Sequence, residues 1–151
     1  MMGNEAIIRR YWQELWTEGK VELASEVYAE TFRENSETLT PAEFAHHAAG
    51  WRAHFKDFTV TVDELISCGD RVITRVTYRG THIGDFRMLP ATGRSFELTG
   101  IDIFVLADSR VVQHWHETDH LQMFQELGAE LRSVGDTRDD ARLGVVPAEE
   151  E

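Results

Sequence analysis

The sequence predicts an α+β protein in which helices and antiparallel strands occupy separate parts of the chain. Apolar residues recur at three- and four-residue intervals before residue 55 and again after residue 119. Between residues 58 and 118 apolar and polar residues alternate, and β-branched residues are frequent. Because these strands follow one another without intervening helices, we expect antiparallel hairpins and not the parallel sheet of a βαβ fold.

Three helices are expected before the strands. The first runs from Asn4, a good N-cap residue, to Gly19, and the second from Val21 to about Ala29. The third begins at Thr40 and should reach about Phe55, because a hydroxyl cap precedes Pro41, and Glu43 completes a capping box. The apolar stripe of the first helix consists of Ile7 or Ile8, Tyr11 or Trp12, and Leu15.

Four strands in two hairpins and a closing helix follow. The turn of the first hairpin is Cys68-Gly69-Asp70, and that of the second is Asp108-Ser109. The predicted strands cover residues 58–66, 71–82, 95–107 and 111–118, and the last helix covers 120–132.

Composition indicates one globular domain and excludes several kinds of partner. The 151 residues are 42% hydrophobic and 28% charged, which suits a single core. A net charge of −12 disfavours nucleic acid and anionic membrane surfaces as partners. Residues 135–151 hold six acidic and two basic side chains without periodicity, so we expect a disordered acidic tail after a domain of residues 1–134. The single cysteine, Cys68, forms no disulfide framework, and a cytoplasmic location is expected.

Five short motifs occur in a characteristic order. They are Gly69-Asp70-Arg71-Val72, Gly80-Thr81-His82-x-Gly84-x-Phe86, Pro90-x-Thr92-Gly93-Arg94, Gly100-Ile101-Asp102-Ile103-Phe104 and His114-Trp115-x-x-x-Asp119. Together they resemble the SnoaL-like polyketide cyclase (ester cyclase) family of the NTF2-like superfamily over roughly residues 5–130. The resemblance implies a cone: a strongly curved antiparallel sheet, here of about four strands, wraps the N-terminal helices around an internal apolar pocket.

The resemblance also implies a reaction and its residues. In this family the aspartate of the W-x-x-x-D motif serves as the acid/base of an intramolecular aldol closure, without a metal or an organic cofactor. The matching residue is Asp119, which alternatively caps the last helix. Asn35 matches a polar pocket position where an amide could bind an enolate oxygen, or it forms an Asx-turn.

The second hairpin places further candidates if Asp108-Ser109 is a two-residue turn, because opposite residues then have numbers that sum to 217. Asp102 would lie opposite Trp115, and Asp119 would share their face of the sheet. A slip of one residue would undo this grouping. The predicted pocket residues are Trp115, Gln113, Glu117, His82, Phe104 and Tyr78, with Asp102 as a third catalytic candidate beside Asp119 and Asn35. His82 could instead hold a turn.

The opposite face is predicted to be the outer one. It would carry His114 and His116, whose spacing admits a metal site, although a surface or oligomer role is the expectation. The apolar residues Ile101, Ile103 and Val105 would lie there too, which suggests a homodimer or homotetramer.

Three functions are therefore considered. The first is a cofactor-independent cyclase or isomerase that acts on an apolar, carbonyl-containing small molecule. The second is a hydrolase of the limonene-epoxide type, which needs Arg75 or Arg79 to point inward beside Asp102 and Asp119. The third is a non-catalytic small-molecule-binding protein, favoured if Asp119 faces solvent as a helix cap.

Overall fold

The structure, a computed structural model, describes residues 2–86, 89–134 and 142–147. Its centre is a curved, open sheet of six strands that packs against helices on its inner face. This confirms the predicted α+β class and the cone-like fold. The expected number of strands was wrong, since two short strands near the N-terminus join the four that the sequence indicates.

The N-terminal helix changes type along its length. Helix α1 covers Asn4–Arg10, and the chain continues as a π-helix over Tyr11–Thr17. Gly19, at a φ of 77°, follows the helix end where the sequence predicts a break. All members of the predicted apolar stripe are buried: Ile7, Ile8, Tyr11, Trp12 and Leu15.

The next two helices form where they are predicted, and the first of them is shorter than expected. A 3₁₀ turn at Val21–Leu23 leads into a short helix α2, Ala24–Val27. Helix α3 covers Pro41–Ala53, and the Thr40 hydroxyl accepts a hydrogen bond from the Glu43 backbone N–H, as the capping box predicts.

The six strands are β1 (Tyr28–Glu34), β2 (Glu37–Leu39), β3 (Phe55–Cys68), β4 (Arg71–His82), β5 (Ser95–Ala107) and β6 (Arg110–Thr118). Their order in the sheet is β2-β1-β6-β5-β4-β3. Strands β3 to β6 form the predicted antiparallel hairpins, whereas β1 runs parallel to β6. A reading of residues 21–29 as one helix missed β1, which begins at Tyr28.

The register predicted for the β5–β6 hairpin was wrong beyond its first two pairs. Asp108 and Ser109 both have positive φ, 49° and 64°, so the two-residue turn is confirmed. A β-bulge at Val112 then adds one residue to β6, and each later partner is displaced by one. Asp102 therefore lies opposite His116, not opposite Trp115.

The bulge exchanges the two faces of β6. Because directly opposed residues share a face, His114 and His116 lie on the inner face with Asp102. The residues predicted for the pocket from this strand, Gln113, Trp115 and Glu117, lie on the outer face with Val105, Ile103 and Ile101.

The C-terminal region departs from its predicted boundaries. Helix α4 covers His120–Glu126, with Asp119 as its N-cap, and does not reach residue 132 because Gly128 adopts a φ of 86°. Strand β7 (Ala129–Val134) follows and pairs with β8 (Arg142–Pro147) in a separate two-stranded sheet. Of the tail expected over residues 135–151, residues 142–147 form β8, and residues 135–141 and 148–151 lie outside the described part.

The inner face of the sheet and the helices bury one core rich in aromatic side chains. Trp12 and Tyr11 lie at its centre and contact Phe104 of β5 edge to face. Trp12 also donates a buried hydrogen bond of 3.2 Å from Nε1 to Thr74 Oγ1 on β4. Within the described residues no helix has the length and apolar character needed to span a membrane.

Candidate functional site

A cavity of about 460 Å³ lies between the inner face of the sheet and helix α3. One part of its wall is apolar and mostly aromatic: Tyr11, Trp16, Phe44, Ala48, Trp51, Tyr78 and Leu98. The other part is polar: Glu34, Asn35, Ser36, Glu37, His47, Asp102, His114, His116, Thr118 and His120. A wall with both parts suits an apolar ligand that carries a few polar groups.

The π-helix supplies two of the aromatic residues. Its hydrogen bonds join residues five apart, so Tyr11 and Trp16 come onto one face and both line the cavity. In an ordinary α-helix, a residue five positions after Tyr11 would not lie on the same face as Tyr11. The helical pattern in the sequence contained no sign of this change.

The most buried polar pair of the site joins Asp102 and His114. His114 Nε2 lies 2.7 Å from Asp102 Oδ1, and each side chain is 2% exposed. The other carboxylate oxygen, Asp102 Oδ2, is buried and has no hydrogen-bond partner among the residues that the structure describes. One oxygen is thus fixed by an imidazole, while the other has its hydrogen-bonding capacity unused in a residue of the cavity wall, which is an arrangement suited to a general base.

Two tyrosines continue this polar pair into the core. His114 Nδ1 lies 3.0 Å from the Tyr28 hydroxyl, which in turn donates to the Tyr11 hydroxyl over 3.2 Å. Burial raises the pKa of both Tyr11 and Tyr28 well above the ordinary value, and the negative charge of Asp102 raises them further. Both phenols are therefore neutral at physiological pH.

A second imidazole–carboxylate pair lies at the polar side of the cavity. His116 Nε2 is 3.2 Å from Glu34 Oε1, with side-chain exposures of 32% and 18%. The hydrogen bond with Glu34 raises the pKa of His116 against the opposing effect of burial. Burial alone would raise the pKa of Glu34, but the His116 hydrogen bond and the nearby imidazoles lower it. The pair favours a protonated His116 beside an ionised Glu34.

Asn35 lies at the cavity wall in the turn between β1 and β2. Its backbone has a φ of 52°, and its N–H donates to the carbonyl of His114 over 2.9 Å. Its side-chain oxygen accepts the backbone N–H of His116 over 3.0 Å. The structure thus brings Asn35 to the predicted pocket and shows that its amide oxygen fixes the strand that carries both histidines.

The structure does not bring Asp119 to the cavity wall. Asp119 is exposed, and its Oδ1 accepts the backbone N–H of Gln122 over 3.1 Å, which is the N-cap arrangement considered as the alternative. Its acid/base role remains a prediction from the resemblance. Of the three catalytic candidates, Asn35 and Asp102 line the cavity.

The other predicted pocket residues divide between three locations. Tyr78 lines the cavity, and Phe104 lies behind its wall, stacked on His114 with ring centres 4.2 Å apart. His82, the last residue of β4, is buried, and its Nδ1 accepts the Thr92 backbone N–H and contacts the Thr92 hydroxyl. The remaining three, Gln113, Trp115 and Glu117, lie on the outer face as described above.

The arginines required by the hydrolase hypothesis do not reach the site. Arg75 is exposed and lies near Asp63 and Glu64 on the outer face, and Arg79 donates to Glu97 over 2.8 Å. Among residues 2–86, 89–134 and 142–147, no three His, Cys, Asp or Glu side chains are grouped so that they could hold a metal ion.

Sequence reasoning missed most of the polar site. Alternation along the strand placed His114 and His116 together on the outer face. This was wrong, because the sequence pattern gave no sign of the bulge at Val112. Glu34 was missed because its strand was read as part of a helix and its end. The adjacent Asn35, which the resemblance did identify, was the available indication that this segment contributes to the pocket.

A curved sheet over an internal, partly polar cavity is the arrangement of an NTF2-like α+β protein. The family model for SnoaL-like polyketide cyclases matches residues 6–127. The chain therefore belongs to the SnoaL-like polyketide cyclase family, and this membership supports a cyclase- or isomerase-type role. A comparison with curated proteins gives no significant match.

Solved structures agree with this assignment. TsrD from Streptomyces laurentii is 25% identical with a TM-score of 0.75, over 82% of this chain and 93% of that chain. IdmH from Streptomyces antibioticus, a proposed polyketide cyclase, is 27% identical with a TM-score of 0.75, over 84% of this chain and 99% of that chain. A proposed polyketide cyclase from Acidithiobacillus ferrooxidans, at 24% identity and a TM-score of 0.75 over 82% and 93% of the chains, shares the fold.

Proposed function

We propose that this protein catalyses an intramolecular aldol-type ring closure of a polyketide-like small molecule, with Asp102 as the general base. The observation that carries the proposal concerns Asp102, a residue of the cavity wall: its Oδ1 is fixed by His114, and its buried Oδ2 has no partner within the described part of the chain. A buried acceptor without a donor is costly, so a ligand group that approaches this oxygen is favoured.

The proposed reaction needs only proton transfers. Asp102 removes a proton from the carbon next to a carbonyl of the substrate, and the enolate carbon then attacks a second carbonyl of the same molecule. A carbon–carbon bond forms, and the resulting alkoxide takes up one proton. The product is an isomer of the substrate, so the reaction consumes no oxidant, reductant or group donor.

His116 is proposed to stabilise the enolate. It lines the cavity on the same face as Asp102, and its pKa is raised by Glu34, so a positive charge faces the developing negative charge. Asn35 acts here as a positioning residue, because its side-chain oxygen holds the His116 backbone. The apolar wall excludes water from the enolate and packs against the rings of the substrate.

Asp102→Asn and Asp119→Asn form a matched pair of variants that separates the two candidate bases. Both replace one carboxylate by an isosteric amide, and asparagine is as good an N-cap as aspartate at position 119. Ring closure is followed with aromatic polyketide esters whose last ring is open, by a chromatographic shift at unchanged mass. Deuterium uptake from D₂O by 2-tetralone, a bicyclic ketone, reports the deprotonation step alone.

We expect Asp102→Asn to lower kcat/KM by about 10²–10⁴-fold, the usual contribution of a general base, and to abolish deuterium uptake. Asp119→Asn should stay within a few-fold of the wild type. The reverse outcome would assign the base to Asp119, as the family resemblance implies. A wild type that promotes neither ring closure nor deuterium uptake would refute the cyclase proposal.

The exposed position of Asp119 favours a second candidate, a non-catalytic protein that binds the same class of molecule. Under this alternative the ligand binds in the cavity, and the wild type leaves it chemically unchanged. Calorimetric binding of the ester without turnover would support the binding protein over the enzyme.

A further inference from the structure

A series of hydrogen-bonded side chains has both of its end residues in the wall of the same cavity. The chain begins at Asp102, passes through His114 and Tyr28, and ends at Tyr11. Asp102, His114 and Tyr11 belong to the cavity wall, whereas Tyr28 is fully buried behind it. A group that takes up a proton and a group that can donate one are thus connected through the protein interior.

Each link in the chain is within hydrogen-bond distance. Asp102 Oδ1 and His114 Nε2 are 2.7 Å apart, His114 Nδ1 and the Tyr28 oxygen 3.0 Å, and the two tyrosine oxygens 3.2 Å. All four side chains are at most 2% exposed. The Tyr28 ring also stacks on Phe32, with ring centres 3.9 Å apart, which fixes its hydroxyl between its two partners.

The donor directions are consistent along the chain. Tyr28 donates its only hydroxyl proton to Tyr11, so its oxygen accepts from His114 Nδ1–H. One further proton occupies the short contact between His114 Nε2 and Asp102 Oδ1. The hydroxyl proton of Tyr11 then points away from Tyr28 and is available to a ligand in the cavity.

We propose that this chain is a proton relay that returns the proton taken up at Asp102 to the substrate through Tyr11. The proposal rests on the ring closure proposed above, which removes a proton from a carbon and delivers one to an alkoxide oxygen formed elsewhere on the substrate. Tyr11 is the acid in this scheme, and Tyr28 is a positioning and relay residue that does not touch the substrate.

The proton transfers balance. The substrate C–H proton moves to Asp102 Oδ2, and the proton in the Asp102–His114 contact passes fully to His114 Nε2. His114 releases its Nδ1 proton to the Tyr28 oxygen, Tyr28 releases its own to Tyr11, and Tyr11 protonates the alkoxide. One proton enters and one leaves the relay, and the two hydrogen bonds that involve Tyr28 end with their directions reversed. Between turnovers Asp102 Oδ2 releases its proton to solvent, and Tyr11 takes up one proton that passes back through Tyr28 to His114 Nδ1.

Tyr28→Phe tests the relay, because it removes the central hydroxyl and keeps the stacked ring. Enolate formation is followed by absorbance in single turnovers of an open-ring aromatic polyketide ester, and ring closure is followed by quenched chromatography. We expect enolate formation within a few-fold of the wild type and ring closure slower by about 10²-fold or more, since a general acid is lost. Tyr11→Phe should likewise slow ring closure and leave enolate formation within a few-fold of the wild type.

Thr74→Val is the matched control. Thr74 is opposite Asp102 in the β4–β5 register and accepts a buried hydrogen bond from Trp12, outside the relay. Loss of this hydrogen bond should change the rates of enolate formation and of ring closure by the same factor. If Tyr28→Phe and Tyr11→Phe slow both steps equally, or neither, the relay is refuted while the ring closure stands. If the wild type forms neither enolate nor ring, the proposed function fails and the relay with it.

Discussion

The glycine at position 100 gives a sharp test of the packing around the cavity. Gly100 lies inside β5, and its φ is not positive, so backbone conformation does not require a glycine there. The neighbouring side chains, however, leave no room for a Cβ at this position. A Cβ at this position would lie 2.9 Å from Thr118 Cγ2 and 3.4 Å from Tyr78 Cε2, and both residues line the cavity.

Gly100→Ala should therefore be destabilising. A carbon–carbon contact has its optimum near 3.5–4.0 Å, so Thr118 has to move by roughly 0.5–1 Å. Overpacking of this kind costs about 1–3 kcal/mol. For a domain of this size that corresponds to a fall in Tm of roughly 3–10 °C, measured by calorimetry. Because Thr118 and Tyr78 yield toward the cavity, the largest ligands should lose the most affinity.

Gly50→Ala is a control that should change the stability in the opposite direction. Gly50 lies within α3, and no heavy atom of the described residues lies within 4 Å of its added Cβ, the helix's own neighbouring backbone apart. Alanine should stabilise the helix by about 0.5–1 kcal/mol and raise Tm. An unchanged Tm and unchanged ligand affinity in Gly100→Ala, with Gly50→Ala raising Tm, would refute the packing described here.

Two further predictions concern charge and assembly. Glu34→Gln should move the alkaline limb of the kcat/KM profile to lower pH, because His116 loses the partner that raises its pKa and so loses its positive charge at a lower pH; an unmoved limb would contradict the role of His116. On the outer face, register places Ile66, Ile73, Ile103 and Trp115 in one apolar row, so Trp115→Glu should dissociate the expected homodimer in sedimentation experiments. A wild type that is monomeric at high micromolar concentration would contradict the second prediction.

Much of the fold was predictable because local signals agree with the tertiary structure. The capping box at Thr40, the change of period after residue 57 and the turn at Asp108-Ser109 each determine a local conformation that packing preserves. Strand β1 was not predictable in this way, since its residues Tyr28–Glu34 carry no strict alternation and pair in parallel with a strand some eighty residues away.

The site was less predictable because it depends on register. One extra residue at Val112 exchanges the face of every later residue in β6, and no local propensity marks that position. Asp102 lies before the bulge in the chain, so the alternation within β5 sets its face of the sheet. Its partner His114 follows the bulge, so their 2.7 Å contact was not available from the pattern of either strand alone.

The central claim is that Asp102 Oδ2 is the atom that meets the substrate. The most direct measurement is a crystal structure of the Asp102→Asn variant with an open-ring aromatic polyketide ester bound. We predict the enolisable carbon of the ester within about 3.5 Å of the amide at position 102, the separation of a near-attack arrangement, with a carbonyl oxygen facing His116. An ester bound outside the cavity, or with that carbon beside Asp119, would contradict the account.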